Sequence, residues 1–313
     1  MDTLLTTSPA KAAEIIQRGG TVAFPTETVY GLGANVFDVV AIEKIFAAKQ
    51  RPPDNPLIAH VGSVERMRVL TVGVTEDAEL LVARFFPGPL TIVLKKSARV
   101  PAIATGGLDT IGIRMPRHQL AREFLAKCGE PIVAPSANLS GRPSPTTWRA
   151  VVEDLGGRID CILQGDDAEI GLESTVVDCT GDVPIVLRMG AVSIEELRHV
   201  VPATRKSTFA ELGQGRSPGL RHRHYSPNSR VVLIAPVDEV AVPEHGAFIG
   251  LHDRSGEFRQ KLICASVDEY AHSVFEFFRE ADRQGVTTVY CETVSETGIG
   301  AALMDRLRRA AED

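Results

Sequence analysis

The stretch Ala47–Leu57 reads AAKQRPPDNPL, and it places Lys49 and Arg51 at the end of an amphipathic segment, immediately before two prolines and, after an Asp-Asn pair, a third. Cations at a helix C-terminus are favoured by the helix dipole, so plain capping explains one of them. A rigid, Pro-bounded loop that holds out two would instead clamp an anion. Other chemistry-bearing residues stand where strand-like runs end. After residues 21–24 comes PTETVYGLGAN, with Thr26, Glu27 and Thr28 clustered and with Gly31 and Gly33 able to admit close backbone approach. After 131–134 comes PSANLSGRPSPTT, where Ser136, Asn138, Ser140, Ser144 and Thr146 offer short donors in a Pro/Gly-stiffened loop. Such loops give hydroxyl and N–H donors to phosphate or carboxylate oxygens. Arg114 and Arg117 follow 110–114, Arg188 closes 185–188, and Glu173 and Ser174 open 174–178. His60, inside 57–61, reads by itself as a satisfied core histidine.

Lys49, Arg51, Arg114 and Arg188 are thus four cations at strand mouths, with many neutral donors and few carboxylates near them in sequence. Buried cations without partners are costly, and a polyanion would neutralise them. The chain has no GxxxxGK[ST], no kinase signature set and no GxSxG elbow, and no serine or cysteine stands with a histidine–acid pair. The chemistry expected is positioning and charge neutralisation of a phosphate-rich ligand.

The elements that must position these residues follow from periodicity. Strands are expected at 21–24, 57–61, 90–96, 110–114, 131–134, 174–178 and 185–188, and helices at about 8–18, 38–49, 75–85, 117–128, 147–155 and 193–199. Asp38 fits a helix N-cap, and Pro52 ends that helix at or before Arg51. Strand–helix alternation indicates α/β layers. Strands 90–96 and 110–114, and likewise 174–178 and 185–188, follow one another with no helix between, so the sheet is expected to be mixed. Residues 230–236, 247–250 and 286–292 read as strands and 267–285 and 298–312 as helices, a small Rossmann-like unit without GxGxxG. The division expected is 1–205, a linker at 206–229 without apolar period, and 230–313.

The 313 residues and 44% apolar content suffice for two buried cores. Net charge is −6, which weighs against a general nucleic-acid binder. It is unevenly spread: residues 1–205 carry −3, 230–313 carry −6, and the linker carries +3 plus His222 and His224. A basic strap between acidic halves is either a solvated linker or is drawn to an anionic ligand. No apolar run approaches the ~20 residues of a membrane span, and the N-terminus lacks a signal-peptide layout. The five scattered cysteines form no CxxC, so neither disulfides nor zinc are expected, in keeping with the cytoplasm.

PTETVYGLGAN, KQRPPDNPL, PGPLTIVL, DTIGIRMP, PSANLSGRPSPT, ESTVVD and SPGLRHRHYSP, in this order over residues 21–227, closely resemble the motifs of the YrdC-type threonylcarbamoyl-adenylate synthases. The layout is similar to their long form, with a twisted mixed-sheet domain followed by a small Rossmann-like α/β domain. The resemblance implies a nucleotidyltransferase making L-threonylcarbamoyl-adenylate and pyrophosphate from L-threonine, bicarbonate and ATP with Mg2+. Partner proteins would pass the product to tRNAs that read ANN codons. It implies that Thr28, His60, Arg114, Ala134 and Ser174 line the threonine side. Lys49, Arg51, Asn55, Thr110, Ser136, Ser144 and Arg188, with Asn138 beside them, would face ATP, and the strap at His224 and Tyr225 would fold over the nucleotide. Lys49 and Arg51 would be catalytic, and no protein side chain is assigned to the metal. The chain departs from relatives at LRHRHY and RMG, where Met-Lys-Tyr-Lys-His-Tyr and Arg-Pro-Gly are common. A non-catalytic double-stranded RNA- or tRNA-binding module of the same family is the alternative; acidic net charge and scarce aromatics weigh against stable RNA binding. A hydrogenase-maturation relative would need acylphosphatase-like and zinc-finger-like modules, for which this chain has neither length nor cysteines.

Overall fold

The computed structural model describes residues 2–208, 211, 225–236 and 246–312. In the first part, strands β1 (Leu4–Thr6), β2 (Val22–Phe24), β3 (Gly31–Asn35), β4 (Ile58–His60), β5 (Leu90–Lys95), β6 (Thr110–Arg114), β7 (Ile132–Ala134), β8 (Cys161–Leu163), β9 (Thr175–Asp178), β10 (Ile185–Arg188) and β11 (Arg205–Lys206) form one sheet. Its order is β1-β8-β2-β3-β7-β4-β6-β5-β9-β10-β11. It is mixed as expected, since β5 with β6 and β9 with β10 are antiparallel while β4 with β6 and β5 with β9 are parallel. Helices α1 (Pro9–Gln17), α2 (Val39–Lys49), α3 (Val64–Leu70), α4 (Glu76–Phe85), α5 (Gln119–Cys128), α6 (Trp148–Leu155) and α7 (Ile194–Val200) accompany it. Ser, Thr or Asp caps α1, α2, α3, α4, α6 and α7, each accepting an N–H of the first turn.

The second unit is a four-stranded sheet of β12 (Arg230–Ile234), β13 (Ala247–Gly250), β14 (Gln260–Ile263) and β15 (Thr288–Glu292), ordered β12-β15-β13-β14. Its pairings are all parallel. The long helix α8 (Val267–Arg283) and the last helix α9 (Gly300–Ala311) bury apolar stripes, and Val29, Leu172 and Tyr225 of the preceding chain join that same core. The two units therefore share apolar packing as well as polar bonds. Among the described residues no helix is long and apolar enough to cross a membrane.

Several elements differ from expectation. Residues 31–35 are not loop but β3, antiparallel to β2 with Val22 opposite Gly33. Its glycines mimic turn composition, yet Gly33 serves packing: a Cβ there would stand 2.6 Å from the Ile132 side chain. Strands β1, β8, β11 and β14 and helix α3 were also not anticipated. The three-residue strands are too short to show alternation, so only their sheet neighbours define them.

Candidate active site

Strand register assembles the site. Ile58 of β4 stands opposite Gly112 of β6 and Ala134 of β7, and His60 stands opposite Arg114. Thr91 faces Arg114 from β5, Arg188 faces Val176, and Gly31 bridges to Ser136. Residues paired across strands project to one face, so side chains far apart in sequence meet over one patch of sheet. Gly31 and Ala134 keep its floor low. The cavity above it is lined by Thr26, Thr28, Arg51, Ile58, His60, Arg114, Ala134, Ser136, Glu173, Ser174, Arg188 and Tyr225, among others.

The end of α2 explains how one clamp residue reaches the cavity and its neighbour does not. Asp38 caps the helix by accepting the Ala41 N–H, and Gln50 closes it in the left-handed region at φ 52°. The Arg51 N–H then donates back to the Phe46 carbonyl. The reversal sends Arg51 into the cavity and Lys49 away from its lining. The Lys49 Nζ, fully buried, donates to the carbonyls of Ser136 (2.6 Å) and Asn138, with Asn138 Oδ1 3.4 Å away. Burial and the nearby Arg51 charge push its pKa well below the usual lysine value. Lys49 thus ties the 136–144 loop to α2.

The three arginines that line the cavity are unequal. Arg114 is neutralised: Glu27 lies 2.7 Å from its Nη2, while Nη1 donates to Thr28 Oγ1 (2.6 Å) and Nε to the Gly88 carbonyl. Burial pushes the Glu27 pKa up, but Arg114 and the Arg117 N–H outweigh it and leave it below the ordinary value. Arg188 donates through Nε and Nη2 to the Ser174 carbonyl (3.2 and 2.9 Å) and through Nη2 to the Ser174 hydroxyl. Arg51 makes only long bonds, to the Asn55 and Pro56 carbonyls at 3.5 and 3.3 Å, and its buried Nε has no hydrogen-bond partner. Among the described residues, no carboxylate pairs with Arg51 or Arg188. Burial lowers both pKa values, that of Arg51 to about 10. The site is therefore less purely cationic than the sequence suggested, because Glu27 and Glu173 both enter it. Its free positive charge lies at Arg51 and Arg188.

His60 is buried, with Nδ1 3.2 Å from the Ile58 carbonyl and its ring edge-on to Phe24. Burial and Arg114 bring its pKa down to about 3, so it is neutral at pH 7. Thr110, at the opposite end of β6 from Arg114, is buried but does not line the cavity, nor do Asn55, Asn138 and Ser144. Asn138 builds its own loop: Oδ1 accepts from Ser136 Oγ, and Nδ2 donates to the Leu139 and Arg142 carbonyls. Ser144 Oγ donates to Glu173 (2.5 Å). Tyr225 reaches the cavity wall in the left-handed region at φ 68°, with its ring stacked 5.4 Å from Phe275 of α8. His224 and most of the 206–229 strap lie outside the described residues.

Two arginines of the small unit were missed. Arg279 of α8 donates to both Asp154 oxygens and to the Pro143 carbonyl, and Arg306 of α9 pairs with Glu173 at 2.9 Å. Both are at most 1% exposed. A charge inside the apolar stripe of an amphipathic helix was the signal available: Arg279 lies four residues from Phe275, and Arg306 lies three from Leu303.

A family model described as Telomere recombination matches residues 14–190, and one described as Threonylcarbamoyl-AMP synthase, C-terminal domain matches 192–312. The threonylcarbamoyl-AMP synthase of Pyrococcus abyssi is 42% identical over 96% of this chain and 93% of its own. That of Bacillus subtilis is 38% identical over 99% and 95%. The crystal structure of P. abyssi Sua5 complexed with L-threonine superposes with a TM-score of 0.91, at 40% identity over 99% of this chain and 98% of that one. These likenesses bear out the resemblance read from the motifs, and with it the fold class and the kind of enzyme. The chain belongs to the threonylcarbamoyl-AMP synthase family, in the form that carries the additional C-terminal domain.

Proposed function

We propose that the cavity is where L-threonine, bicarbonate and ATP become L-threonylcarbamoyl-adenylate, pyrophosphate and water. Threonine's amine takes up bicarbonate to give a carbamate, with loss of water. A carbamate oxygen then bonds to the α-phosphorus, and the bond from that phosphorus to the bridging oxygen of the β-phosphate breaks. The obstacle is electrostatic, since both reactants are anions. Two unit charges at about 4 Å repel by roughly 4 kcal/mol at an effective dielectric of about 20. A guanidinium at the same range offsets this without reorganising.

The observation that carries this reading is a pair of buried guanidiniums, Arg51 and Arg188, which pair with no carboxylate among the described residues and line the cavity that Arg114 and Thr28 also enter. Arg51 and Arg188 would meet the phosphates. Thr28, Ser174, His60 and the Arg114 edge would receive threonine, on the small-residue floor at Ala134; that the Pyrococcus relative is complexed with L-threonine supports threonine as a ligand. Neutral His60 offers a hydrogen bond without adding charge. Lys49, Asn138, Ser136 and Ser144 would hold the loop beside the nucleotide, and Tyr225 would cover it. The carbamate already carries the attacking charge, so no general base is assigned.

Mg2+ would arrive on the triphosphate and shield its charge. The Ser136 and Ser174 hydroxyls on the cavity wall are hard oxygen donors of the kind Mg2+ takes, but no group of three His, Cys, Asp or Glu among the described residues would cage one. The product, a mixed anhydride, would pass to proteins that transfer the threonylcarbamoyl group to tRNA. Pyrophosphate release that requires all three substrates, and that falls about 10²–10⁴-fold in Arg188→Ala, tests the proposal. Release independent of threonine or bicarbonate would overturn it.

A further inference from the structure

Glu173 is a puzzle for an anion site. The residue is 6% exposed and lines the same cavity as Arg188, Ser174 and Tyr225. Left alone it would repel a phosphate. One of its oxygens accepts from Ser144 Oγ, and the other lies 2.9 Å from Nε of Arg306, on the last helix of the small unit. Arg306 is fully buried and makes two further contacts at this spot. Its Nη2 donates to the Met189 carbonyl (3.0 Å), next to Arg188, and its guanidinium stands 5.2 Å from the Tyr225 ring. Gly190 follows so closely that a Cβ there would lie within 2.5 Å of backbone atoms of residues 173–175. Nη1 is held by Asp305 (2.6 Å). Arg306 thus touches Glu173, the turn after Arg188, and Tyr225 at once.

We propose that Arg306 is a positioning residue for the nucleotide end of the site: it cancels the Glu173 charge, aims that carboxylate at Ser144, and fixes the Arg188-Met189-Gly190 turn. The small unit then contributes to ATP binding directly, by supplying the counter-charge that makes one wall of the anion pocket neutral. This rests on the reading that ATP phosphates lie at Arg51 and Arg188.

The test is calorimetric titration of full-length protein with ATP and, separately, with L-threonine, in wild type, Arg306→Met, Glu173→Gln and the double variant. Arg306→Met should lose roughly 100-fold in ATP affinity, as expected when a buried carboxylate loses its partner beside an anion. Threonine affinity should stay within about threefold of wild type. Glu173→Gln alone should bind ATP at least as tightly as wild type, and the double variant should recover to within about fivefold, because removing both charges removes the repulsion. If Arg306→Met does not fold, the Glu173→Gln and double variants still decide: a loss above about tenfold in both overturns the proposal. Equal loss of both ligands in Arg306→Met with no recovery in the double variant would show a merely structural role. Retained ATP affinity in Arg306→Met would overturn this proposal alone. Wild-type protein that binds no ATP would overturn the functional reading, and this with it.

Discussion

Replacing Arg51 by Met should move stability and activity in opposite directions. Arg51 is 7% exposed, pairs with no carboxylate among the described residues and makes two long bonds to carbonyls. Burial brings its pKa from the ordinary 12.5 to about 10. At about 1.4 kcal/mol for each pH unit, keeping the charge there costs the folded protein on the order of 3 kcal/mol. Methionine fills similar space without the charge. The variant should therefore melt no lower than wild type, and up to a few degrees higher, at roughly 2 °C per kcal/mol for a chain of this size. Turnover should fall. A guanidinium about 4 Å from one phosphate charge contributes roughly 4 kcal/mol at an effective dielectric near 20, which corresponds to about 10³-fold. Pyrophosphate release with saturating ATP, threonine and bicarbonate measures the one, and scanning calorimetry of the ligand-free protein the other. A drop in melting temperature of more than about 3 °C, or turnover within threefold of wild type, would refute the reasoning. The first would make Arg51 a structural cation, the second a bystander.

His60 gives a pH prediction. Unfolded, it takes up a proton below about pH 6.5; folded, it resists until about pH 3, so acid favours the unfolded chain. Stability should fall by about 1.4 kcal/mol per pH unit in that window, and His60→Gln should flatten the slope by one proton in urea unfolding series; identical slopes would count against it. Ala134→Leu would place a larger side chain on the cavity floor. Threonine affinity by calorimetry should weaken more than tenfold, at a stability cost of about 1–3 kcal/mol; unchanged affinity would move threonine elsewhere. Arg279→Met removes one of the two arginines paired with the buried Asp154 carboxylate, leaving Arg142 and the Leu139 N–H. It should cost about 1.5–3 kcal/mol in chemical denaturation, and pairing it with Asp154→Asn should restore part of that; purely additive losses would contradict the assignment.

Much of this site was legible in the sequence because its parts sit at strand ends with distinctive punctuation. The Asp38 cap, the Pro52 stop and the cations between them could be read directly. The left-handed turn at Gln50 could not, since nothing in a glutamine announces φ above zero, and that turn separates Lys49 from Arg51. Glu27 was visible as a residue, but its pairing with Arg114 joins positions 87 residues apart and depends on sheet order. Local pattern likewise could not place β3, whose glycines resemble a loop until Ile132 is packed against Gly33. The small unit was recognisable by its alternation of strands and helices. Its grip on the larger unit, through Arg279 and Arg306, required knowing which helix faces meet.

The central claim, that one cationic cavity brings a threonine carbamate and ATP together, is most directly tested by mass spectrometry of the nucleotide product formed with 13C-labelled bicarbonate. The account predicts a threonylcarbamoyl-adenylate one mass unit heavier than with unlabelled bicarbonate, lost when threonine is omitted and reduced by about three orders of magnitude in Arg51→Met. An adenylate that forms without threonine, or that carries no label, would contradict it.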